Sequence, residues 1–222
     1  MAALIDEKQN NAPTIPVLPT REEDVVVSKD QHYLATKRAF DVVVALIAMI
    51  VLLGPMAIIG AWVWLDSKGP AIFRQERLGK DGVPFTMYKF RTMYINAEEN
   101  GPQWAKPDDE RCTKLGRMLR KTRLDELPQL VNILKGDMSF VGPRPERQCF
   151  YDIFETYIPG FHLRMMVRPG LTGHAQVNGG YDLLPEEKIV YDMEYISNRC
   201  WKMDIQCLLK TVKVVLTRDG SR

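Results

Sequence analysis

The sequence predicts an α+β, mainly helical fold: a re-entrant membrane helix broken at a proline, a small β-hairpin and amphipathic interfacial helices. Residues 42–65 form an uncharged run of 24 positions, apolar apart from two glycines and one proline. Two short strand-like stretches flank the turn signal Gly79-Lys80-Asp81-Gly82. From Arg111 onward the apolar residues recur mostly at helical spacing.

The apolar run comes first. A bilayer core takes about 20 helical residues, so 42–65 is long enough to cross one. Gly54-Pro55 falls near its middle, where proline removes a backbone donor and crowds the preceding turn, so a break or kink is expected there. A soluble domain of this size rarely needs a helix apolar all round, which disfavours a core helix. Lys37 and Arg38 precede the run and Lys68, Arg74 and Arg77 follow it, so the charge asymmetry that orients a single span is missing. That symmetry favours a segment entering and leaving the same leaflet. The run starts about forty residues in and precedes no A-x-A-like site, unlike a signal peptide.

Residues 1–36 carry six acidic and three basic side chains and three prolines, with little apolar periodicity. They read as a flexible acidic tail ahead of a domain over 37–222. The whole chain has 30 Lys plus Arg against 28 Asp plus Glu, too even a balance for nonspecific nucleic-acid binding. Without the tail the net charge is +5, which suits anionic headgroups and phosphorylated substrates. Cys112, Cys149, Cys200 and Cys207 form no C-x-x-C pair, and His32, His162 and His174 no H-E-x-x-H motif. A zinc site or disulfide framework is therefore not expected.

Residues 71–73 and 85–90 read as the strands of the hairpin. Leu115, Met118 and Leu119 mark one face of the next helix. Its other face, Lys114, Arg117, Arg120 and Lys121, is most simply a solvated one. Residues 124–136 form a short helix with Asp125 at or near its N-cap, Pro128 in its first turn and Gly136 past its end. Gly142-Pro143-Arg144-Pro145 and residues 168–173 are turn-rich loops around arginines. Pro185 opens a helix with Ile189, Met193 and Ile196 on one face. From about Asp204 a last helix turns its apolar side to the core or to the membrane surface.

Asp125-Glu126 has the most chemical potential. An ionised carboxylate at a helix start can attack phosphorus or ligate Mg²⁺, although a plain cap uses the same residues. Phosphoryl transfer needs cations around the developing charge. Arg120, Arg144 and Arg168 stand beside turns or helix ends from which they could converge.

Five motifs in order carry a family resemblance: Lys37-Arg38-Ala39-Phe40-Asp41, Tyr88-Lys89-Phe90-Arg91-Thr92-Met93, Leu124-Asp125-Glu126-Leu127-Pro128-Gln129-Leu130, residues 136–146 around Gly142-Pro143-Arg144-Pro145, and Pro169-Gly170-Leu171-Thr172-Gly173. From about Lys37 to its end the chain resembles the bacterial sugar transferases, the monotopic phosphoglycosyl transferases. The resemblance implies transfer of a sugar-1-phosphate from a UDP-sugar to undecaprenyl phosphate with release of UMP, the first membrane step of exopolysaccharide, capsule or related glycan synthesis. Arg-Pro-Glu-Arg ending at Arg147 and the region 188–195 resemble the members that use a UDP-hexose.

The resemblance further implies that Asp125 is the nucleophile, forming an aspartyl phospho-sugar that the polyprenyl phosphate displaces. Glu126 and Asp125 would hold Mg²⁺. Arg120 and Arg144 would bind phosphate, with Lys89, Arg91 and Arg168 as further substrate contacts. Gly54 and Pro55 match the family's helix break. The implied setting is the bacterial cytoplasmic (inner) membrane, entered from one side among its lipids, with the catalytic domain facing the cytoplasm, no nucleic-acid partner and room for a homodimer. Larger members add an N-terminal four-helix membrane domain, so the chain resembles the minimal catalytic form. Members often read Ala-Gln-Val-Asn-Gly-Arg where this chain ends the motif in Gly180. Two other classes stay open at this level. One is a noncatalytic module that binds phospholipid or polysaccharide-assembly partners through its basic stripe. The other is a glycosyltransferase with Asp108-Asp109-Glu110 as its metal site and UDP as its product.

Overall fold

The computed structural model describes residues 18–27, 30–99, 101–103, 109–179 and 183–217. Helix α1 (Gln31–Asp66) leads into β1 (Ile72–Leu78) and β2 (Pro84–Phe90). Then come α2 (Lys114–Lys121), a 3-10 turn (Leu124–Gln129) running straight into α3 (Leu130–Lys135), β3 (Ser139–Val141), α4 (Gln148–Glu155) and a second 3-10 turn (Phe161–Met166). β4 (Gly170–Thr172), α5 (His174–Gly179), α6 (Pro185–Asn198) and α7 (Trp201–Thr217) complete the chain. The mainly helical α+β class is the one the sequence predicts.

α1 begins before the expected domain start because Asp30 caps it, accepting from the His32 and Tyr33 N–H groups at 3.0 and 3.2 Å. Leu18, Val25 and Val27 pack on the main core, so the expected flexible tail does not include them. Residues 1–17 lie outside the described part. The chain stays helical through Gly54 and Pro55, which corrects the expected break. Proline's fixed φ is itself a helical value, and its missing N–H removes a single bond, to the Val51 carbonyl. On either side of it Leu52 and Met56 pack against the domain, which anchors both halves of the helix.

Contacts run along the whole of α1. Lys37 Nζ pairs with the buried Asp204 of α7 at 2.6 Å, and Tyr33 and Tyr195 hydroxyls donate to the same carboxylate at 2.9 and 2.8 Å. Arg38 donates to the Ile133 and Leu134 carbonyls at 2.6 and 2.9 Å, capping the end of α3. Asp41 accepts from the Phe140 N–H at 3.1 Å. Further on, Ala45 packs with Leu130, Ile133 and Met138, and Ile59 and Val63 pack with Phe90 and Leu119. The opposite face exposes Leu46, Ile47, Ile50, Val51, Ile58 and Trp62. Only 11% of the most apolar stretch is buried, and α1 is the one helix among the described residues long and apolar enough to cross a membrane. An exposed apolar face of this extent belongs in lipid.

β1 and β2 pair antiparallel from Ile72 opposite Phe90 to Leu78 opposite Pro84. The strand therefore runs past Phe73 through Arg74, Gln75, Glu76 and Arg77, which carry no apolar alternation to announce it. α2 docks on the end of β2, the Thr113 N–H donating to the Thr92 carbonyl at 3.0 Å. Gly116 permits this approach: a Cβ there would sit 2.0 Å from the Thr92 oxygen. The docking turns Arg120 inward, its Nε donating to Thr92 Oγ1 at 3.0 Å. Lys114, Arg117 and Lys121 stay exposed, as a solvated face requires.

β3 and β4 pair in parallel, Ser139 opposite Gly170 and Val141 opposite Thr172. With three residues each they offer no pattern to read in advance. Their pairing lays the 168–173 loop against Gly142. The main core gathers Phe150, Phe154, Phe161, Leu163, Ile189 and Ile196 from α4, the second 3-10 turn and α6. α7 starts at Trp201, buries Asp204 and Cys207, and leaves Ile205, Leu209 and Val212 exposed.

Candidate active site

Asp125 and Glu126 lie in the first turn of the 3-10 segment, behind Arg123, whose φ of 60° makes it the cap residue. The expected N-cap position of Asp125 is thus shifted inward. Two devices hold the segment. Asn132, fully buried in α3, accepts from the Tyr88 N–H at 3.1 Å and donates to the Thr86 carbonyl at 2.7 Å, zipping α3 to the free edge of β2. Arg38 ties the other end to α1. The result brings Lys89 of β2 onto the dyad.

Both carboxylates are 6% exposed, yet their surroundings differ. Lys89 Nζ stands 3.1 Å from Glu126 Oε1, and the Arg144 guanidinium binds the same carboxylate. Burial opposes the charge on Glu126, but Arg144 and Lys89 outweigh it and hold the carboxyl far below its ordinary range. Asp125 moves the other way. Burial, and then the neighbouring Glu126 charge, push it up to about 6 against the pull of Lys89, Arg120 and Arg144. Desolvation, more than the helix start or the nearby cations, sets its ionisation. At neutral pH Asp125 is mostly ionised and more basic than an ordinary aspartate, as suits a nucleophile.

Asp125, Lys89, Arg120 and Arg144 line one cleft of about 970 Å³. β1 runs along it, spanning about 20 Å. At the α1 end the walls are Ala71, Ile72, Phe73 and Ile95. At the other end Arg77 pairs with Glu146 at 2.9 Å, near Arg147, Arg164 and Lys188, and Gln176 also lines the cleft. The arrangement can neutralise a polyanion in front of the Asp125 carboxylate.

Two arginines from the motifs are placed otherwise. Arg91 borders the cleft but donates to the Pro70 and Ser67 carbonyls at 2.6 Å each and to Val63 at 3.3 Å, clamping the end of α1. Arg168 is exposed, outside the cleft, its Nε on the Gly136 carbonyl at 3.1 Å. Arg77, Arg164 and Gln176 join the cleft without having been singled out as site residues. For Arg164 the available signal is a lone charge among Phe161, Leu163, Met165 and Met166.

Among the described residues no three His, Cys, Asp or Glu side chains converge as a metal cage. Mg²⁺ ordinarily takes one or two carboxylates and completes its shell with phosphate oxygens and water. Asp125 lines the cationic cleft and offers one such carboxylate, with Glu126, paired to Arg144 and Lys89, as its neighbour. In the alternative acidic cluster Arg111 Nε binds Asp109 Oδ1 at 2.8 Å, and Asp108 lies outside the described residues.

Residues 32–218 match the family profile described as bacterial sugar transferase. The UDP-N-acetylgalactosamine-undecaprenyl-phosphate N-acetylgalactosaminephosphotransferase of Aeromonas hydrophila is 42% identical over 193 residues, covering 86% of this chain and 46% of its own. The UDP-glucose:undecaprenyl-phosphate glucose-1-phosphate transferase of Caulobacter vibrioides is 42% identical over 193 residues, 83% of this chain and 71% of its own. The undecaprenyl-phosphate galactose phosphotransferase of Salmonella typhimurium is 39% identical over 220 residues, 92% and 45% respectively. The chain thus spans about half the length of the first and third of these relatives.

Proposed function

The chain belongs to the bacterial sugar transferase family, and on that premise we propose that it moves a sugar-1-phosphate from a UDP-sugar to undecaprenyl phosphate and releases UMP. The observation that carries this is the split dyad: Asp125 raised and facing a cationic cleft, Glu126 locked by Arg144 and Lys89. An Asp125 oxygen attacks the β-phosphorus, the bond to the bridging oxygen breaks, and UMP leaves with that electron pair. The undecaprenyl phosphate oxygen then attacks the same phosphorus and returns Asp125 as a carboxylate. Lys89, Arg120 and Arg144 offset the charge of the diphosphate. Asp125 and Glu126 would hold Mg²⁺, which would supply further neutralisation when bound.

The sugar in this reading is a hexose. The exposed face of α1 sits in lipid with both helix ends on the domain's side, because contacts from Tyr33 to Val63 keep the helix against the domain. The domain faces the cytoplasm, the side that supplies nucleotide sugars.

The purified protein, given a UDP-sugar, Mg²⁺ and undecaprenyl phosphate, should release UMP; release of UDP would mean that the sugar moves without its phosphate and would overturn the reading. The same assay carries a pH prediction. Only the Asp125 carboxylate attacks, so kcat/KM rises with pH along an acid limb set by this carboxyl. Glu126→Gln removes the like charge and frees Lys89 and Arg144 to favour the Asp125 anion, so the limb shifts to lower pH. A limb that stays in place in that variant would assign it to another group.

A further inference from the structure

The cleft wall holds polar groups with nothing to bond. Gln176 lines it, and both Oε1 and Nε2 of its amide are shut from solvent without a hydrogen-bond partner. Arg164, 2% exposed, also lines it. Its Nε donates to Asp192 at 2.6 Å and its Nη2 to the Arg144 carbonyl at 3.0 Å, while its Nη1 has no partner. Buried polar atoms are nearly always bonded in a native protein, so orphans on residues that line a cleft point to a ligand.

The loop geometry fixes where these groups lie. A Cβ on Gly173 would sit 2.6 Å from Gln176 Oε1 and 2.1 Å from the Gly142 carbonyl. Glycine at this position therefore lets the amide lie against the loop that carries Arg144. Arg164 is bonded to the same loop. Arg164 is thus tied to an arginine that contacts Glu126, and the Gln176 amide lies by Gly173, which packs on the same loop.

The double displacement says what must be accommodated. Asp125 and the leaving UMP stand on opposite sides of the β-phosphorus, so the lipid phosphate has to attack from the side that UMP vacated. The sugar alone stays on the enzyme through both steps and needs its own place. The apolar end beside α1 suits the lipid, which leaves the polar end for the sugar. A primary amide offers a donor and an acceptor side by side, and one sugar hydroxyl can use both.

We propose that Gln176, on the cleft wall that Arg164 also lines, forms the hexose subsite and reads a hydroxyl of the transferred sugar. The proposal rests on the transfer reading above. The test is steady-state UMP release by the wild type and Gln176→Met, a volume-conserving change, with the best substrate among UDP-glucose, UDP-galactose and UDP-N-acetylgalactosamine. KM for the UDP-sugar should rise by about tenfold, while KM for undecaprenyl phosphate and inhibition by UMP stay unchanged. Single-deoxy analogues of that UDP-sugar give a second measure that does not depend on the variant's folding. The wild type should lose a similar factor on one analogue, and the variant nothing further on it. Weaker UMP inhibition in the variant would assign the amide to the nucleotide, and a fall in kcat at constant KM would make it structural; either overturns the subsite. An active wild type with an unaltered variant overturns the subsite alone, whereas a wild type inactive on all three UDP-sugars overturns the transfer reading and the subsite with it.

Discussion

Asp125→Asn is expected to lose UMP release by at least about 10³-fold and yet to melt at a higher temperature than the parent protein. The loss follows from chemistry: an amide does not attack phosphorus, so no phospho-sugar forms on residue 125. The gain follows from burial. In the fold, desolvation and Glu126 raise Asp125 from its ordinary 3.8 to about 6. Between those pH values the folded chain keeps a proton that the unfolded chain releases. Stability therefore falls as pH rises through that window, and the deficit is complete above about pH 6. A neutral asparagine does not carry it, so the variant should gain about 2–3 kcal/mol at pH 8 and almost nothing near pH 4. Thermal melts at both pH values, with intact-protein mass after exposure to UDP-sugar, check the two halves. A variant less stable than the parent at pH 8 would show that the neighbouring cations, not desolvation, govern Asp125.

The largest loss of stability is expected at the other end of the cleft. Arg164 and Asp192 are each at most 2% exposed and joined at 2.6 Å. Burial opposes the guanidinium charge, but Asp192 outweighs it and keeps Arg164 protonated. Asp192→Ala strands that cation and should cost about 3–5 kcal/mol in urea unfolding. The double change Arg164→Met with Asp192→Leu removes both charges and should recover most of the loss. It should not recover activity, because the Arg164 bond to the Arg144 carbonyl is gone. If the single variant cost under about 1 kcal/mol, water would have to reach the pair.

The cleft also shows where motif reading stops. Arg168 belongs to a motif and lies outside the site, whereas Arg164 belongs to none and lines it. Nothing local separates them; the parallel pairing of β3 with β4 and the packing of α6 do. Proline shows the same limit. Its local effect is to weaken the helix, and the helix persists because Leu52 and Met56 pack on the domain. The parallel strands, α4 and the Gln176 amide were illegible because each depends on partners far along the chain.

By itself the sequence determined the elements written in short-range pattern: the apolar helix, the hairpin about its Gly-Lys-Asp-Gly turn, the periodic helices, and the identity of the dyad through its motif. It also determined that Asp125 and Glu126 would be adjacent. Only the tertiary structure decided that they differ. Glu126 meets Lys89 from 37 positions before it and Arg144 from 18 after it, while Asp125 is left chiefly to desolvation and to its neighbour's charge. Propensity and periodicity act between residues a few positions apart. The ionisation of a buried carboxylate is set by distances to charges that the chain brings near only when it packs.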